Sequence, residues 1–189
     1  MTAGPPSPRH VVLLGLMGSG KSTVGLALAH QLGWHLNDSD EQIQLSTGRT
    51  VRELRDEVGV DEMHRVEAEH LLSALVRPEP SIVCAAASVV DNPRCRKALS
   101  TPSVVTIWLR ATPDTLARRF PNNDHRPAYG DDPRSFLAEQ ASVRSSLFAG
   151  VSNVVIDVDD RSITDIVDLV WSSLGAFGIQ VSRPGSGSC

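Results

Sequence analysis

The sequence predicts an α/β domain in which a central sheet of five parallel strands lies between two layers of helices. Five short apolar runs of strand length alternate along the chain with segments of helical periodicity. Since continuous apolar runs suit strands that are buried on both faces, the sheet is expected to be parallel. A glycine-rich segment joins the first apolar run to the first helical pattern, which is typical of domains that bind phosphate groups. The predicted strands cover residues 11–14, 34–36, 82–85, 104–109 and 154–158.

The composition is that of an ordinary globular domain of 189 residues with a formal net charge of -4. This charge gives no general attraction to nucleic acid or to an anionic membrane, and no apolar stretch approaches the length of a membrane span. The three cysteines are scattered and odd in number, which favours reduced thiols in the cytoplasm. We expect a monomeric cytoplasmic protein that acts on a small molecule, with a folded domain at residues 10–178 and flexible tails at residues 1–9 and 179–189.

The segment after the first predicted strand fits the phosphate-binding pattern G-x-x-x-x-G-K-[ST] over residues 15–22. Its glycines let the backbone approach phosphate oxygens, while Lys21 supplies a cation for the β- and γ-phosphates and Ser22 a hydroxyl for Mg²⁺. Because Val24 and Leu28 begin a helical pattern directly behind the loop, the helix N-terminus adds its partial positive charge. The sequence therefore predicts a site for ATP with Mg²⁺. The residues of this segment expected to contact the nucleotide are Gly18, Ser19, Gly20, Lys21, Ser22 and Thr23.

Two carboxylates follow the second predicted strand. Asp38 and Asp40 are expected at the carboxyl edge of the sheet, where open α/β folds bind their ligands. One carboxylate near Ser22 suffices to hold Mg²⁺, which keeps several waters, and the second could orient a substrate hydroxyl and accept its proton. We assign the metal role to Asp38 and the hydroxyl role to Asp40. The alternative is that either aspartate only caps the next helix.

Helical patterns fill the chain between the second and third strands and after the fifth. Thr50 and Glu53 form a capping-box pattern, and an apolar stripe at helical spacing follows between residues 63 and 74. The last helix is predicted to begin after a Ser162 cap. Its apolar residues recur on one face from residue 163 to residue 174, so we assign them to the core rather than to a cofactor site.

The polar segment at residues 121–133 breaks this alternation. A long loop in a compact α/β domain is usually a functional lid or a disordered connector. The arginines in and before it favour a lid at about residues 120–133, with a solvated loop as the alternative. Phosphoryl transfer depends on neutralising charge, which makes Arg126 a candidate catalytic residue. Arg144 on the following helix could reach the site and bind a carboxylate or phosphate through two N–H groups. The alternative is an arginine exposed to solvent on the helix surface.

Together these motifs resemble those of the shikimate kinases, a family with the P-loop fold of nucleoside-monophosphate kinases. The resemblance covers about residues 10–175. It implies that Asp38 serves Mg²⁺, that Asp40 holds the substrate hydroxyls, and that Arg126 contacts the phosphates of ATP. It also implies that residues from about 39 to 76 form the substrate-binding helices. The stretches that carry it are residues 15–22, Asp38-Ser39-Asp40, residues 47–54, Arg65-Val66-Glu67 and Arg126-Pro127.

Further single positions match ones that these kinases use for binding. Arg119 and Arg161 match positions around the adenine. Arg144 matches an arginine that helps to bind the shikimate carboxylate. The resemblance therefore places the nucleotide at one end of the site and an acidic acceptor at the other.

Two departures from the family pattern concern the acceptor. His64 stands where the family has an arginine for the substrate carboxylate, and a neutral imidazole offers one donor in place of a fork of five. Residues 85–87 are alanines where the family has three glycines, so each adds a Cβ and any positive φ would be strained. His64, Ala86 and Arg144 are still expected to line the acceptor site.

The resemblance implies an ATP-dependent kinase that transfers the γ-phosphate to a hydroxyl of shikimate or a related cyclic or polyol acid. Lys21 and Arg126 would stabilise the transferring phosphoryl group, and Asp40 would orient the acceptor hydroxyl. One alternative is the same fold acting on another acceptor, such as a gluconate-like acid or a nucleoside monophosphate. A second is an ATP-binding regulator without catalytic activity.

Overall fold

The protein is built around a sheet of five parallel strands, which confirms the predicted fold class. The structure, a computed structural model, describes residues 9–119 and 132–179. Each strand begins and ends within two residues of its predicted bounds. The strands are β1 (His10–Leu14), β2 (His35–Asp38), β3 (Ser81–Cys84), β4 (Val104–Arg110) and β5 (Val154–Asp157), and they lie in the order β2-β3-β1-β4-β5.

Helices cover both faces of this sheet. Two short 3-10 helices, Ala87–Asp91 and Gly175–Phe177, complete the regular structure within the described ranges. The α-helices are α1 (Lys21–Leu32), α2 (Ser39–Thr47), α3 (Val51–Val58), α4 (Val60–Leu75), α5 (Pro93–Leu99), α6 (Pro113–Arg118), α7 (Pro133–Val151) and α8 (Ile163–Leu174).

The central strand β1 explains why the sheet has a helical layer on each side. Successive residues of a strand point to opposite faces. Val11 and Leu13 pack with apolar residues of α1 and α8, whereas Val12 and Leu14 pack with those of α4, α5 and α7. All four side chains are fully buried. The uninterrupted apolar run is therefore the pattern that a strand buried on both faces requires.

Helix ends and faces largely follow the sequence patterns. The Thr50 capping box is present, with the Glu53 N–H donating to Thr50 Oγ1 at 3.2 Å and the Thr50 N–H donating to Glu53 Oε2 at 2.8 Å. The apolar face of α8 is buried from Ile166 to Leu174. Ile163, predicted on that face, is instead 39% exposed because it lies in the first turn beside the phosphate loop.

The ends of the predicted domain lie close to the limits of the described residues. Arg9 is held by a backbone hydrogen bond to Ser103, and Ile179 is buried in the core. The rest of the two predicted tails, residues 1–8 and 180–189, lies outside the described residues. Among the helices described, none has the length and hydrophobicity needed to cross a membrane.

Candidate active site

The phosphate loop connects β1 to α1, and at two of its glycines both the backbone conformation and the surrounding atoms leave no place for a side chain. Gly15 has φ +144° and Gly18 has φ +84°. A Cβ added to Gly15 would lie 2.6 Å from the carbonyl oxygen of Leu109, and one added to Gly18 would lie 2.8 Å from that of Leu116. Side chains are therefore excluded both by backbone conformation and by space. The loop keeps its backbone open toward a ligand because nothing larger than hydrogen fits at these two turns.

Lys21 is the polar side chain of this loop that fits a bound phosphate group. Lys21 Nζ donates to the carbonyl oxygens of Gly15 and Leu16, at 2.9 and 3.2 Å, so the lysine folds back over the loop. The Ser19 hydroxyl is fully buried and has no hydrogen-bond partner within the described part of the chain. A buried hydroxyl without a partner is costly, but Ser19 does not line the cavity, so its hydroxyl does not identify a ligand. The glycine turns and Lys21 together fit a triphosphate at the start of α1.

A cavity of about 240 Å³ opens beside the phosphate loop. It lies at the carboxyl edge of the parallel sheet, where β1, β2 and β3 end, as the sequence predicted for the ligand site. The predicted site residues that it brings together are Lys21, Ser22, Asp38, Asp40, His64, Ala86 and Arg144.

Other predicted nucleotide residues lie around this cavity or away from it. Thr23 is exposed on α1 and does not line the cavity. Arg119 Nη2 donates to the carbonyl oxygen of Val158 at 3.0 Å, and Arg161 Nε donates to that of Asp157 at 2.8 Å. Both arginines therefore lie at the carboxyl end of β5, on the same edge of the sheet as the phosphate loop. Arg126, with most of the predicted lid, lies outside the described residues.

Asp38 and Asp40 both line the cavity where β2 passes into α2. Asp38 is the last residue of β2, and its carboxylate accepts the Asp40 N–H at 3.2 Å as the N-cap of α2. Asp38 lines the cavity together with Ser22, so capping and facing the ligand site are compatible. Asp40 belongs to the first turn of α2 and lines the same cavity. One hydroxyl and one carboxylate here match what Mg²⁺ takes from a protein when phosphates and water complete its shell.

The three alanines that replace glycines are accommodated without backbone strain. Within the described residues, Asp160 alone combines positive φ with a side chain, so none of residues 85–87 has positive φ. Ala86 is extended, at φ -60° and ψ 149°, and begins the 3-10 helix that follows β3. The strain considered from the sequence therefore does not arise. The methyl groups instead take up space in the lining of the cavity.

His64 and Arg144 both line the cavity, and the charge of Arg144 acts on His64. Burial, and then the positive charge of Arg144, lowers the pKa of His64 below its ordinary value, so the imidazole is neutral near pH 7. Arg144 is not an exposed helix arginine, since only 12% of its side chain is accessible. Its guanidinium forms an ion pair with Asp91, with Nη2 lying 2.6 Å from Oδ2. No motif in the sequence identifies Asp91 as the partner of Arg144.

Glu67 is a further residue of the cavity that sequence reasoning did not single out for chemistry. It lies on α4, is 6% exposed, and accepts a short hydrogen bond from the Ser88 hydroxyl. Burial raises the pKa of Glu67 to about 7, the Ser88 hydrogen bond opposes this rise, and the Asp40 charge adds to it. In the sequence, the one sign of this role was that Glu67 lies among apolar residues that recur at helical spacing. The cavity lining also includes Arg55, Phe136 and Gln140, which no motif marked.

The sequence matches a family model for shikimate kinase over residues 17–174. A shikimate kinase of Zymomonas mobilis is 34% identical over 145 residues, which cover 76% of this chain and 81% of that protein. One of Shewanella oneidensis is 30% identical over 168 residues, which cover 88% of this chain and 97% of that protein. The structure of shikimate kinase from Acinetobacter baumannii in complex with shikimate shares the fold, with a TM-score of 0.85 at 21% identity over 92% of this chain and 96% of that one.

Proposed function

The chain belongs to the shikimate kinase family, and from this premise we propose that it transfers the γ-phosphate of ATP to a hydroxyl of shikimate or a related cyclic hydroxy acid. One observation carries the proposal: a single cavity is lined by the phosphate-loop residues Lys21 and Ser22, by Asp40 and by Arg144. A phosphate donor and a hydroxylated acceptor can therefore meet within one cavity. Such positioning is most of what phosphoryl transfer needs from a protein.

The donor end of the cavity would hold ATP with Mg²⁺. When bound, Mg²⁺–ATP supplies the phosphoryl group and neutralises part of its charge. Lys21 would contact the β- and γ-phosphates, and Ser22 and Asp38 would hold the metal. Arg119 and Arg161 are proposed to lie near the adenine, and Arg126 is proposed to close over the phosphates as part of a lid. The helix N-terminus of α1 adds a partial positive charge at the same place.

Asp40 is proposed to orient the acceptor hydroxyl and to accept its proton. Its place in the first turn of α2 fixes the carboxylate on a regular element, beside the proposed metal ligand Asp38. Its charge is also felt by Glu67, whose pKa it helps to raise. A positioned base of this kind accelerates proton transfer by about 10²–10⁴-fold. Arg144, with His64 and Ala86, would contact the remainder of the acceptor.

A coupled assay of ADP release tests the proposal. With Mg²⁺–ATP, shikimate should support turnover, and Asp40→Asn should lower kcat by about 10²–10⁴-fold with little change in KM for ATP. Glu41→Gln is a matched control, because Glu41 is an exposed carboxylate in the same helical turn that does not line the cavity. Turnover with gluconate or a nucleoside monophosphate but not with shikimate would refute the acceptor. ATP binding without turnover of any acceptor would refute the enzyme itself.

A further inference from the structure

We propose that Asp91 is a specificity-determining residue, because an acceptor that carries a carboxylate must compete with Asp91 for Arg144. The inference rests on the proposed function, since it concerns the acceptor end of the same cavity. It is carried by one ion pair between residues 53 positions apart in the chain. No sequence motif links the two residues, and neither belongs to the donor end of the site.

The ion pair uses most of the hydrogen-bonding capacity of the Arg144 guanidinium. Nε donates to Oδ1 and Oδ2 of Asp91 at 3.1 and 2.9 Å, and Nη2 donates to Oδ2 at 2.6 Å. Nη1 donates to Gln140 Oε1, one turn earlier on α7. A guanidinium has five N–H groups, so this arrangement engages three of them and leaves one on each terminal nitrogen. Asp91 occupies the side-on fork formed by Nε and Nη2, so an incoming carboxylate must displace it from that fork or bind the remaining N–H groups beside its negative charge.

Asp91 is held in this position by its backbone. It is the last residue of the 3-10 helix Ala87–Asp91, which follows the alanine segment directly. Arg96 Nη1 donates to the carbonyl oxygens of Val90 and Asp91, at 2.7 and 3.0 Å, and Val90 is fully buried. These contacts hold the Asp91 backbone and limit the positions that its carboxylate can take. The pair is therefore organised in advance rather than formed by chance between two mobile side chains.

The position of the pair sets how it acts on an acceptor. Arg144 lines the cavity and Asp91 does not, while 12% of the arginine side chain and 37% of the aspartate side chain are accessible. The arginine thus faces the acceptor, with its charge compensated from behind. An acceptor carboxylate at Arg144 would lie close to the Asp91 carboxylate, and like charges at short range repel. The neutral His64 beside it adds no positive charge in compensation.

The charges of the remaining cavity lining do not alter this conclusion. Among the residues that the structure describes, the other cations of the lining are Lys21, which is proposed for the donor end, and Arg55 on α3. The lining also carries the carboxylates of Asp38, Asp40 and Glu67. An acidic acceptor therefore gains little net attraction from the cavity while Asp91 is charged. A neutral acceptor of the same shape is not penalised in this way.

Asp91→Asn isolates the charge, because an asparagine of the same shape still offers one oxygen to the Arg144 Nε–H. KM for shikimate should fall about tenfold, whereas KM for its uncharged methyl ester should change by less than about twofold. Glu69→Gln is the matched control: Glu69 forms an ion pair with Arg94 at 2.9 Å, and neither residue lines the cavity. Asp91→Ser also removes the charge but has a smaller side chain. As in Asp91→Asn, its KM for shikimate should fall more than its KM for the methyl ester. Steady-state kinetics at saturating Mg²⁺–ATP are combined with calorimetric titration of shikimate in the presence of ADP, which needs no turnover.

Each result of these measurements decides the inference. Tighter binding of shikimate by Asp91→Asn, with the ester unchanged, supports it even if no variant turns shikimate over, in which case only the proposed function fails. Turnover by the native protein with an unchanged or higher KM in Asp91→Asn overturns the inference alone. An equal gain for shikimate and ester also overturns it, because space rather than charge would then be responsible. Absence of shikimate binding in both Asp91 variants overturns both proposals.

Discussion

Replacing Glu67 with glutamine should remove a pH dependence of stability from the protein. Glu67 is buried on α4, and burial raises its pKa from the ordinary 4.5 to about 7. Folding therefore favours the protonated carboxyl group over the carboxylate. A glutamine has nearly the same shape, can accept the Ser88 hydrogen bond, and carries no proton that responds to pH. The variant and the native protein should thus diverge in stability as the pH rises.

The sign and size of this divergence follow from proton linkage. Because the pKa of folded Glu67 lies above that of the unfolded chain, its contribution to stability is complete below pH 4.5 and is lost as the pH rises through about 7. Each unit of difference between the folded and unfolded pKa values corresponds to about 1.4 kcal/mol in the free energy of unfolding. The full loss of stability therefore approaches about 3 kcal/mol. Between pH 5 and pH 8 the free energy of unfolding of Glu67→Gln, minus that of the native protein, should rise by about 2–3 kcal/mol.

Urea denaturation at several pH values from 5 to 8, followed by circular dichroism, measures this difference directly. Comparing two proteins at each pH cancels the titration of all other groups. Glu69→Gln, a half-exposed carboxylate two residues further along α4, is the control and should track the native protein. A difference between Glu67→Gln and the native protein that stays constant over the whole range would refute the argument, because it would mean that the buried carboxyl group does not titrate there.

Three further substitutions test single contacts that stabilise the fold. Gly25→Ala should destabilise the protein by about 1–3 kcal/mol, because the new Cβ would lie 2.4 Å from Cys84 Sγ, and Cys84→Ala in the same chain should recover part of this loss. Thr106→Val should cost about 1–3 kcal/mol, because its buried hydroxyl donates to the carbonyl oxygen of Val151 at 2.5 Å. Thr50→Ala should cost about 0.5–2 kcal/mol through loss of the capping box of α3. Urea denaturation at one pH measures all three.

A matched glycine distinguishes crowding from a general effect of adding a methyl group. Gly150 on α7 has no atom within 4 Å of an added Cβ, so Gly150→Ala should be neutral or stabilising. If Gly25→Ala is equally well tolerated, the claim that α1 packs too closely against β3 to admit a methyl group is refuted. A loss in Gly25→Ala that Cys84→Ala does not relieve would instead assign the cost to the helix backbone.

The parts of this protein that could be predicted from its sequence are those where the place of a segment in the fold restricts which residue types it can contain. A strand buried on both faces is mostly apolar, so β1 was visible as the run Val11–Leu14, and β4 as an apolar run interrupted by Thr106. The phosphate loop was visible because Gly15 and Gly20, the two fixed glycines of its pattern, both have positive φ, where a side chain is strained. Asp38 and Asp40 could be placed because any residue that follows a strand of a parallel sheet lies at the ligand-binding edge.

The acceptor end could not be predicted in the same way, because its contacts join distant parts of the chain. Nothing near Arg144 in the sequence identifies Asp91 as its partner. The same sequence was equally compatible with an arginine that binds a carboxylate or phosphate of a ligand. Glu67 lies on a helix where a polar residue is compatible with a core, a site or a solvated face. The alanines after β3 were expected to crowd or strain the site, whereas their φ angles are negative and only their volume matters.

The strand order has a consequence for how an enzyme of this kind can change during evolution. The central strand β1 separates β2 and β3, which lead into α2 and the 3-10 helix Ala87–Asp91, from β4 and β5, whose ends carry the arginines proposed for the adenine and whose connection carries Arg144 on α7. The unusual residues His64, the alanine segment and Asp91 all belong to the chain between β2 and β4. Mutations there can retune the choice of acceptor while the ATP-binding machinery is inherited intact. Such a division of the sheet lets new substrate preferences arise without a period in which the nucleotide is lost.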